Sequence, residues 1–372
     1  MRREHPAFSS TSATTVTVDG VELLAFHGCG YLGLAHDPRV RAAAAEGLSL
    51  FGASGLASRN TSGSLDLHER LEQRLAEFLR VEAALVVTDG YLADIAVAQA
   101  LASSADAPAP IALHDDDVHP SLTDALALAG YRAFGYGQGD MSHALALMDL
   151  HKQAGPLVVT DGAFAMHGRL APAAELLRHL PPTARLLIDD SHGVGVLGRS
   201  GRGVSELFGL EDPRLILTGS LAKALGSGGG FIAGTAATIA AVRRRATSFS
   251  GTTALSPPLC AAALASLDVI DAEPERLERL RANVGQLHRT ARRLGLGSRG
   301  TYLPVLRVET DSEAAAQRLA AALHVEGLYA PAIRYHGADA GGVVRCAVTS
   351  EHTASDLRRL EDALAHHLTE GA

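Results

Sequence analysis

Short apolar runs alternate with longer stretches of helical periodicity between residue 83 and about residue 234. Apolar runs of this kind are typical of strands buried between helices, so the alternation predicts a mainly parallel sheet covered by helices. Polar residues follow at once after five of the apolar runs, at 85–87, 111–113, 157–159, 186–188 and 215–217. Ligands of open α/β sheets bind outside the carboxyl ends of the strands, so we expect the functional site at this edge.

The segments on either side of residues 83–234 have a different pattern of apolar and polar residues. Alternation from Val16 to Phe26 predicts a hairpin that turns at Asp19-Gly20. Beyond residue 256, the pattern predicts a long helix at 274–294, two strands and a last helix capped by Thr353 and Asp356. We therefore expect an N-terminal arm (1–45), a large domain (46–255) that contains this sheet, and a small α+β domain (256–372).

Composition narrows the class of protein. The chain has 372 residues, 47% of them hydrophobic, which is enough for a large core. Its net charge of −8 argues against general nucleic-acid binding. Cys29, Cys260 and Cys346 are few and far apart, so neither a disulfide framework nor a metal site is expected. The absence of a signal peptide or a long apolar run predicts a cytoplasmic protein without a membrane span.

Arg243, Arg244 and Arg245 form the one compact basic run in the sequence. They are interpreted as a solvated helix face, with contact to an anionic substrate tail as the alternative.

The segment 218–230, TGSLAKALGSGGG, places Lys223 between an apolar strand and a glycine cluster. A buried lysine with a lowered pKa is suited to forming a Schiff base. Glycines allow close approach of the backbone, and together with Ser220 they suggest a bound anionic group. The alternative is a surface lysine in a flexible loop.

Other strand ends supply what an electron-sink cofactor such as pyridoxal phosphate requires. Asp189 can keep the pyridine nitrogen protonated, His192 is within reach of the ring hydroxyl, and His119 can lie on the ring face. Gly90 and Tyr91, at a strand-to-helix turn, join Ser220 as candidates for the phosphate. Each residue alone is more often a cap or a structural group, but their combination predicts a cofactor site.

The motifs resemble those of the α-oxoamine synthases among the fold-type I pyridoxal-phosphate enzymes. The similarity extends from Tyr31 to about Leu364. The matching stretches are YLGL at 31–34, SRN…G…H..LE at 58–72, DDSHG at 189–193, SLAKALG at 220–226, and Arg345 seven residues before His352.

This resemblance implies a role for each matched residue. Lys223 would hold the cofactor and act as acid and base, with Asp189, His192 and His119 as catalytic partners around the ring. Gly90, Tyr91 and Ser220 would bind the phosphate, joined by a hydroxyl from the partner subunit, either Thr252 or Thr253. Arg345 would bind the carboxylate of the amino acid, near Cys29.

The implied reaction is a decarboxylating condensation of an amino acid with an acyl thioester, on CoA or an acyl carrier protein, that gives an α-amino ketone. A homodimer with shared active sites is also implied. The sequence departs from the family at five places, which are Cys29 for Asn, Asp94 for Asn, Ala165 for Ser, His167 for an acid, and Tyr335-His336 for a proline-containing stretch. Cys29 and Ala165 motivate an alternative with altered chemistry, either aldol-type, transaminating or decarboxylating. A non-catalytic subunit is the remote alternative.

Overall fold

The computed structural model describes residues 6–102, 108–166, 168–297, 303–334 and 341–369. The strands are β1 Ser10–Thr11, β2 Thr15–Val18, β3 Val21–Ala25, β4 Ala83–Val87, β5 Ile111–Asp115, β6 Arg132–Tyr136, β7 Leu157–Asp161, β8 Ala163–Phe164, β9 Arg169–Leu170, β10 Arg185–Asp189, β11 Leu215–Ser220, β12 Gly230–Gly234, β13 Val305–Thr310, β14 Leu328–Tyr329, β15 Ala332–Ile333 and β16 Gly342–Ala347. The α-helices are α1 Pro38–Phe51, α2 Asp66–Leu79, α3 Gly90–Leu101, α4 Pro120–Leu128, α5 Met141–His151, α6 Ala173–His179, α7 Val204–Phe208, α8 Ala236–Arg245, α9 Thr247–Ser250, α10 Pro257–Ala272, α11 Pro274–Arg293, α12 Glu313–Val325 and α13 Ala354–Thr369. Short 3₁₀ helices lie at Leu34–His36 and Lys152–Ala154.

Contacts between residues divide the chain into two units. The larger unit comprises Asp37–Phe164 and Leu170–Ala272, and the smaller comprises Met1–His36, Ala165–Arg169 and Glu273–Ala372. Residues 37–45 and helix α10 therefore group with the larger unit, although the sequence assigns them to the arm and to the small domain. The domain boundaries after residues 45 and 255 stay a prediction.

The larger unit is built on a seven-stranded sheet in the order β4-β12-β11-β10-β7-β5-β6. Strands β11, β10, β7, β5 and β6 are parallel along this series, whereas β12 runs antiparallel to both of its neighbours, β11 and β4. The carboxyl ends of β4, β5, β7, β10 and β11 therefore meet at one edge, as predicted. Their apolar residues join those of α3, α4 and α8 in one core cluster.

Strand β12 was not predicted, because its sequence begins in the glycine cluster. A Cβ on Gly230 would lie 2.5 Å from the backbone carbonyl carbon of Asp89, so glycine is required where β12 passes the turn before α3. Gly229 has a φ of +106°, which also favours glycine. Part of the glycine cluster thus serves the packing of the sheet itself.

The motif at 58–72 forms a buried ion-pair network in the larger unit. Arg59 donates to both carboxylate oxygens of Glu72, at 2.9 and 3.2 Å, and Arg243 donates to Glu72 at 2.7 Å. The Glu72 carboxylate also accepts the backbone N–H of Val86 at 3.1 Å, which ties helix α2 to strand β4. Arg243 is therefore a structural ion-pair residue, and the interpretation as a solvated helix face fits only Arg244 and Arg245, which are exposed.

The smaller unit contains the predicted hairpin, in which β2 and β3 pair antiparallel and turn at Asp19 (φ +50°) and Gly20 (φ +81°). β14 extends this sheet, and β13, β16 and β15 form a second, antiparallel sheet. Helices α11 and α13 lie close to the predicted positions, and Thr353 and Asp356 cap α13 reciprocally. Within the described ranges, no helix is both long and apolar enough to cross a membrane.

Candidate active site

The register of the large sheet places three of the polar strand ends side by side. Asp189 at the end of β10 pairs with Asp161 of β7 on one side and with Thr218 of β11 on the other. The backbone N–H of Gly162 donates to the carbonyl of Asp189 at 2.8 Å, which holds the two strand ends together. Two carboxyl groups and one hydroxyl therefore converge at the predicted edge.

Lys223 lies half-buried in the turn that connects β11 to β12. Its carbonyl accepts the N–H of Gly226 at 2.9 Å, and Leu221 and Gly229 close the turn with a 2.9 Å hydrogen bond. The ammonium lowers the pKa of both Asp94 and Asp161, against the raising effect of burial. The sequence contains one other lysine, Lys152, which is exposed and paired with Asp149 at 2.8 Å.

His119 is the N-cap of α4 and is fixed from two directions. Its backbone N–H donates to Asp161 Oδ2 at 2.9 Å, and its Nδ1 lies 2.7 Å from Ser121 Oγ. The Ser121 backbone N–H also points at Nδ1, at 3.2 Å. The ring is 6.4 Å from that of Tyr91, in an edge-on arrangement.

Sequence reasoning missed the network behind His119. The fully buried carboxyl group of Asp94 has Thr218 Oγ1 at 2.6 Å from Oδ1 and Ser121 Oγ at 2.7 Å from Oδ2. Thr218 and Ser121 are themselves almost completely buried. Ser121 lies two residues after His119, and Thr218 follows the apolar run before Lys223. This closeness in sequence to candidate residues was the only signal for either hydroxyl.

The carboxyl groups at this edge have unusual electrostatics. Burial raises the pKa of Asp94 well above its usual range, and the neighbouring Asp189 raises it further. Burial and Asp189 likewise raise the pKa of Asp161, against the opposing hydrogen bond from the His119 N–H. Perturbed carboxyl groups that share a site are a mark of functional chemistry.

Gly90, Tyr91 and Ser220 meet where α3 begins. A Cβ on Gly90 would lie 3.2 Å from the Cβ of Ser220, so the helix start and the end of β11 are in close approach. The Asp89 carboxylate caps α3 by accepting the Tyr91 N–H at 2.8 Å. The Tyr91 hydroxyl donates to Asp124. The start of this twelve-residue helix offers backbone donors of the kind that bind anions.

The surroundings differ among the remaining cofactor candidates, His192, Thr252 and Thr253. His192 is half-buried in the turn after β10. The Thr252 hydroxyl donates to the carbonyl of Ser248 at 2.8 Å, within its own chain. Thr253 is exposed, and its hydroxyl has no hydrogen-bond partner among the residues that the structure describes.

Arg345 and Cys29 come together in the smaller unit. The guanidinium of Arg345 donates to the carbonyl of Gly28 at 3.0 Å and approaches the sulfur of Cys29 at 3.6 Å. Burial alone would lower the pKa of Arg345, but Tyr31 and Cys29 raise it, so the guanidinium stays charged. The pKa of Tyr31 is well above its usual value, because the phenol is buried and lies near Cys29.

Comparison with known proteins assigns the family. The model for aminotransferases of class I and II matches residues 30–364. The chain belongs to this family. A relative from Stutzerimonas stutzeri, named 8-amino-7-oxononanoate synthase, is 40% identical over 98% of this chain and 92% of its own length.

Two solved structures resemble this protein over nearly its whole length. Serine palmitoyltransferase from S. paucimobilis, with pyridoxal phosphate and myriocin bound, has a TM-score of 0.92 and 25% identity, covering 99% of this chain and 92% of its own. 8-Amino-7-oxononanoate synthase from Francisella tularensis has a TM-score of 0.80 at 22% identity, covering 94% and 98%, and supports the fold alone.

These matches confirm the predicted resemblance to α-oxoamine synthases, the fold-type I architecture and pyridoxal phosphate as the cofactor. The chain is a pyridoxal-phosphate-dependent acyltransferase of this type, and the predicted decarboxylating condensation of an amino acid with an acyl thioester is confirmed as its reaction class. The remote alternative of a non-catalytic subunit was wrong.

The residues at the carboxyl edge fit this cofactor. The helix start at Gly90 offers donors for a phosphate, Asp189 offers a carboxylate, and Lys223 offers an amine, all within the larger unit. Ala165, which the sequence has where the resemblance leads us to expect a serine, has no hydrogen-bonding side chain. His167 and Tyr335, two further departures from the family, lie outside the described residues.

Proposed function

We propose that this enzyme condenses L-alanine with a pimeloyl thioester and forms 8-amino-7-oxononanoate, the product in the name of its 40% identical relative. The carbon skeleton of that product fixes both substrates. The amino-bearing carbon carries one methyl group, which alanine supplies after losing its carboxyl carbon as CO2. The remaining carbons form a seven-carbon acyl chain that ends in a carboxylate.

The cofactor, when bound, supplies an electron sink for the carbanion that forms at the amino-acid α-carbon. Lys223 supports this chemistry because it lies in the turn after β11, the strand whose Thr218 pairs with Asp189 on β10. Its amine would hold the cofactor and would serve as the base for the α-proton of the amino acid. This placement of Lys223 is the observation that carries the proposal.

Three further residues orient and tune the ring. Asp189 keeps the ring nitrogen protonated, since it ends β10 between two neighbouring polar strand ends. His192, three residues later, hydrogen-bonds to the phenolic oxygen. His119 would lie against the ring, and its fixed backbone and its contact with Ser121 would hold it in place.

The phosphate is bound by Gly90, Tyr91 and Ser220 at the start of α3. A hydroxyl from the partner subunit completes the cradle, so the enzyme is a homodimer with shared sites. Thr253 is the better candidate than Thr252, because its side chain is exposed whereas the Thr252 hydroxyl already donates to Ser248.

Arg345 binds the amino-acid carboxylate through the planar two-point contact that a guanidinium provides. The carbonyl of Gly28 holds one of its nitrogens at 3.0 Å, which fixes the orientation of the side chain. Cys29 lies beside it and contributes to the substrate side of the site. The enzyme acts in the cytoplasm, with the acyl chain carried on CoA or on an acyl carrier protein.

Side reactions that compete with acyl transfer are a second candidate activity of the same site. Ala165 removes a hydroxyl that would bond the phenolic oxygen of the cofactor, and Cys29 replaces an amide near the substrate. The loss of these two hydrogen-bonding groups would hold the cofactor ring and the substrate less firmly. Transamination or simple decarboxylation would then be favoured over acyl transfer. If this candidate were right, Cys29→Asn with Ala165→Ser would shift the product ratio towards the α-amino ketone.

A substrate panel tests the proposal. The purified holoenzyme is incubated with alanine, glycine or serine, and with pimeloyl or palmitoyl thioesters on CoA or a carrier protein. Thiol release and product mass are followed together. Alanine with a pimeloyl thioester should give the fastest thiol release and the mass of 8-amino-7-oxononanoate. Preference for another pair would overturn the substrate assignment, and amino-acid turnover without thiol release would favour the second candidate.

A further inference from the structure

The buried carboxyl group of Asp94 has two hydrogen-bond partners and no cation in contact. Its two oxygens face the hydroxyls of Thr218 and Ser121, at 2.6 and 2.7 Å. No ion-pair partner of Asp94 occurs among the described residues. An ionised carboxylate that is buried without a paired cation is strongly disfavoured, and such a group usually takes up a proton instead.

The directions of the neighbouring hydrogen bonds indicate where that proton lies. The backbone N–H of Ser121 points at His119 Nδ1, at 3.2 Å, so Nδ1 is an acceptor and carries no proton. The Ser121 hydroxyl, 2.7 Å from the same nitrogen, must then donate to it. A serine hydroxyl has a single proton, so its oxygen has to accept from Asp94 Oδ2.

We propose that Asp94 is a protonated carboxylic acid in the native enzyme, and that it acts as a positioning residue by donating to Ser121 and accepting from Thr218. In this form it is isosteric with asparagine, the residue that the α-oxoamine synthases usually have here. Through Ser121 it holds His119 as a neutral ring with its proton on Nε2.

The ionised alternative produces a conflict of donors. With a charged Asp94, the Ser121 hydroxyl would donate to the carboxylate, and Nδ1 of His119 would have to donate to Ser121 Oγ. The Ser121 N–H and the proton on Nδ1 would then face each other at 3.2 Å. Of the two states, the protonated form is the one that places a proton in each of these four contacts.

The charges around Asp94 favour the same state. Asp189 on β10 is a like-charged neighbour of Asp94, and Lys223 is the cation that partly offsets it. Of the other elements packed on α3, α4 contributes Asp124, which accepts from the Tyr91 hydroxyl at the start of the helix. α8 contributes Arg245, which contacts the far end of the helix at the carbonyl of Ala100. Strands β4 and β12 contribute no titratable side chain. Burial and Asp189 accordingly raise the Asp94 pKa.

A neutral His119 has a functional consequence that rests on the proposed cofactor site. A ring whose nitrogen is kept protonated by Asp189 carries positive charge, and a cationic imidazolium stacked on it would repel that charge. The neutral tautomer avoids this repulsion.

The test compares wild type with Asp94→Asn in the apoprotein, so its result does not depend on whether acyl transfer is found. Infrared difference spectra at neutral pH should contain the carbonyl band of a protonated carboxyl group in wild type that Asp94→Asn lacks. ¹⁵N spectra of His119, assigned with His119→Gln, should give the neutral Nε2–H tautomer in both proteins.

Stability against pH gives an independent measurement. Because the folded pKa of Asp94 lies above its unfolded value, wild type loses stability relative to Asp94→Asn as pH rises from the unfolded pKa, about 4, towards the folded pKa. The melting-temperature advantage of Asp94→Asn should therefore grow with pH. Asp140→Asn is the matched control, because hydrogen bonds from Ser142 and His143 lower the pKa of Asp140. The Asp140→Asn variant should therefore lose stability relative to wild type as pH rises through the acidic range, where the Asp140 carboxylate of wild type becomes charged.

Three results would overturn the proposal. They are a carboxylate band assigned to Asp94, an Nδ1–H tautomer of His119 in wild type, or a melting-temperature difference that stays constant or reverses with pH.

Discussion

The carboxylate of Asp89 accepts the backbone N–H of Tyr91 at 2.8 Å, at the start of the helix that we propose binds the cofactor phosphate. The negatively charged Asp89 side chain thus uses a backbone N–H of the proposed phosphate site. Its charge stabilises the helix start in the absence of a ligand but opposes a phosphate dianion.

Replacement of Asp89 should therefore strengthen cofactor binding. We expect Asp89→Ser to lower the dissociation constant for pyridoxal phosphate about fivefold, because one charge at a helix terminus is worth about 1 kcal/mol. Serine keeps the capping hydroxyl. Cofactor titration of the apoprotein measures this change. Asp140→Ser, at the N-cap of α5, should leave the affinity unchanged, and weaker binding by Asp89→Ser would contradict the assigned phosphate site.

The network of Arg59, Glu72 and Arg243 should be a major source of stability. We expect Glu72→Ala to lower the free energy of unfolding by about 3–5 kcal/mol, because it leaves the buried guanidinium of Arg59 without its counter-charge. Urea unfolding measures the change. Glu69→Ala, at an exposed position of the same helix, should cost under about 1 kcal/mol. Equal losses in the two variants would argue against a structural role for this motif.

Thr253 should act in the active site of the partner subunit. We expect Thr253→Ala to weaken cofactor binding about tenfold or more, since a hydrogen bond to a charged group is worth about 1.5–3 kcal/mol. Thr252→Ala, which removes a contact within its own chain, should have less effect.

Hybrid dimers test directly whether each active site contains residues of both subunits. A dimer of one Lys223→Ala subunit and one Thr253→Ala subunit should retain one intact site, and about half of the wild-type activity. An inactive hybrid would mean that the lysine and the threonine of one site come from the same chain.

Arg345→Lys should raise the KM for the amino acid about tenfold or more, because a lysine loses the two-point contact with a carboxylate that is worth about 1.5–3 kcal/mol. The KM for the acyl thioester should change much less. Steady-state kinetics with each substrate varied in turn separates the two effects, with Arg293→Lys, at the end of α11, as a matched control. A loss of melting temperature with both KM values unchanged would make Arg345 a structural residue.

The sequence predicted those parts of the site that follow directly after buried strands. Asp189 directly follows an apolar run, and Lys223 and His119 come in the turns after such runs. Strands of a parallel sheet end at a common edge, so local pattern was sufficient to predict that all three lie there. The contact between Asp94 and Thr218 spans 124 residues of sequence and leaves no local signal. Strand β12 was missed for a related reason, because the glycines that allow its close approach to Asp89 obscure the strand pattern.

Borohydride reduction of the holoenzyme followed by peptide mapping tests the central claim most directly. Reduction fixes the covalent bond between the cofactor and its lysine, and the sequence offers two candidates, Lys223 and Lys152. The phosphopyridoxyl mass should appear on the peptide that contains Lys223, persist in Lys152→Ala and disappear in Lys223→Ala. Labelling of Lys152, or no labelling of a folded and cofactor-saturated protein, would contradict the account.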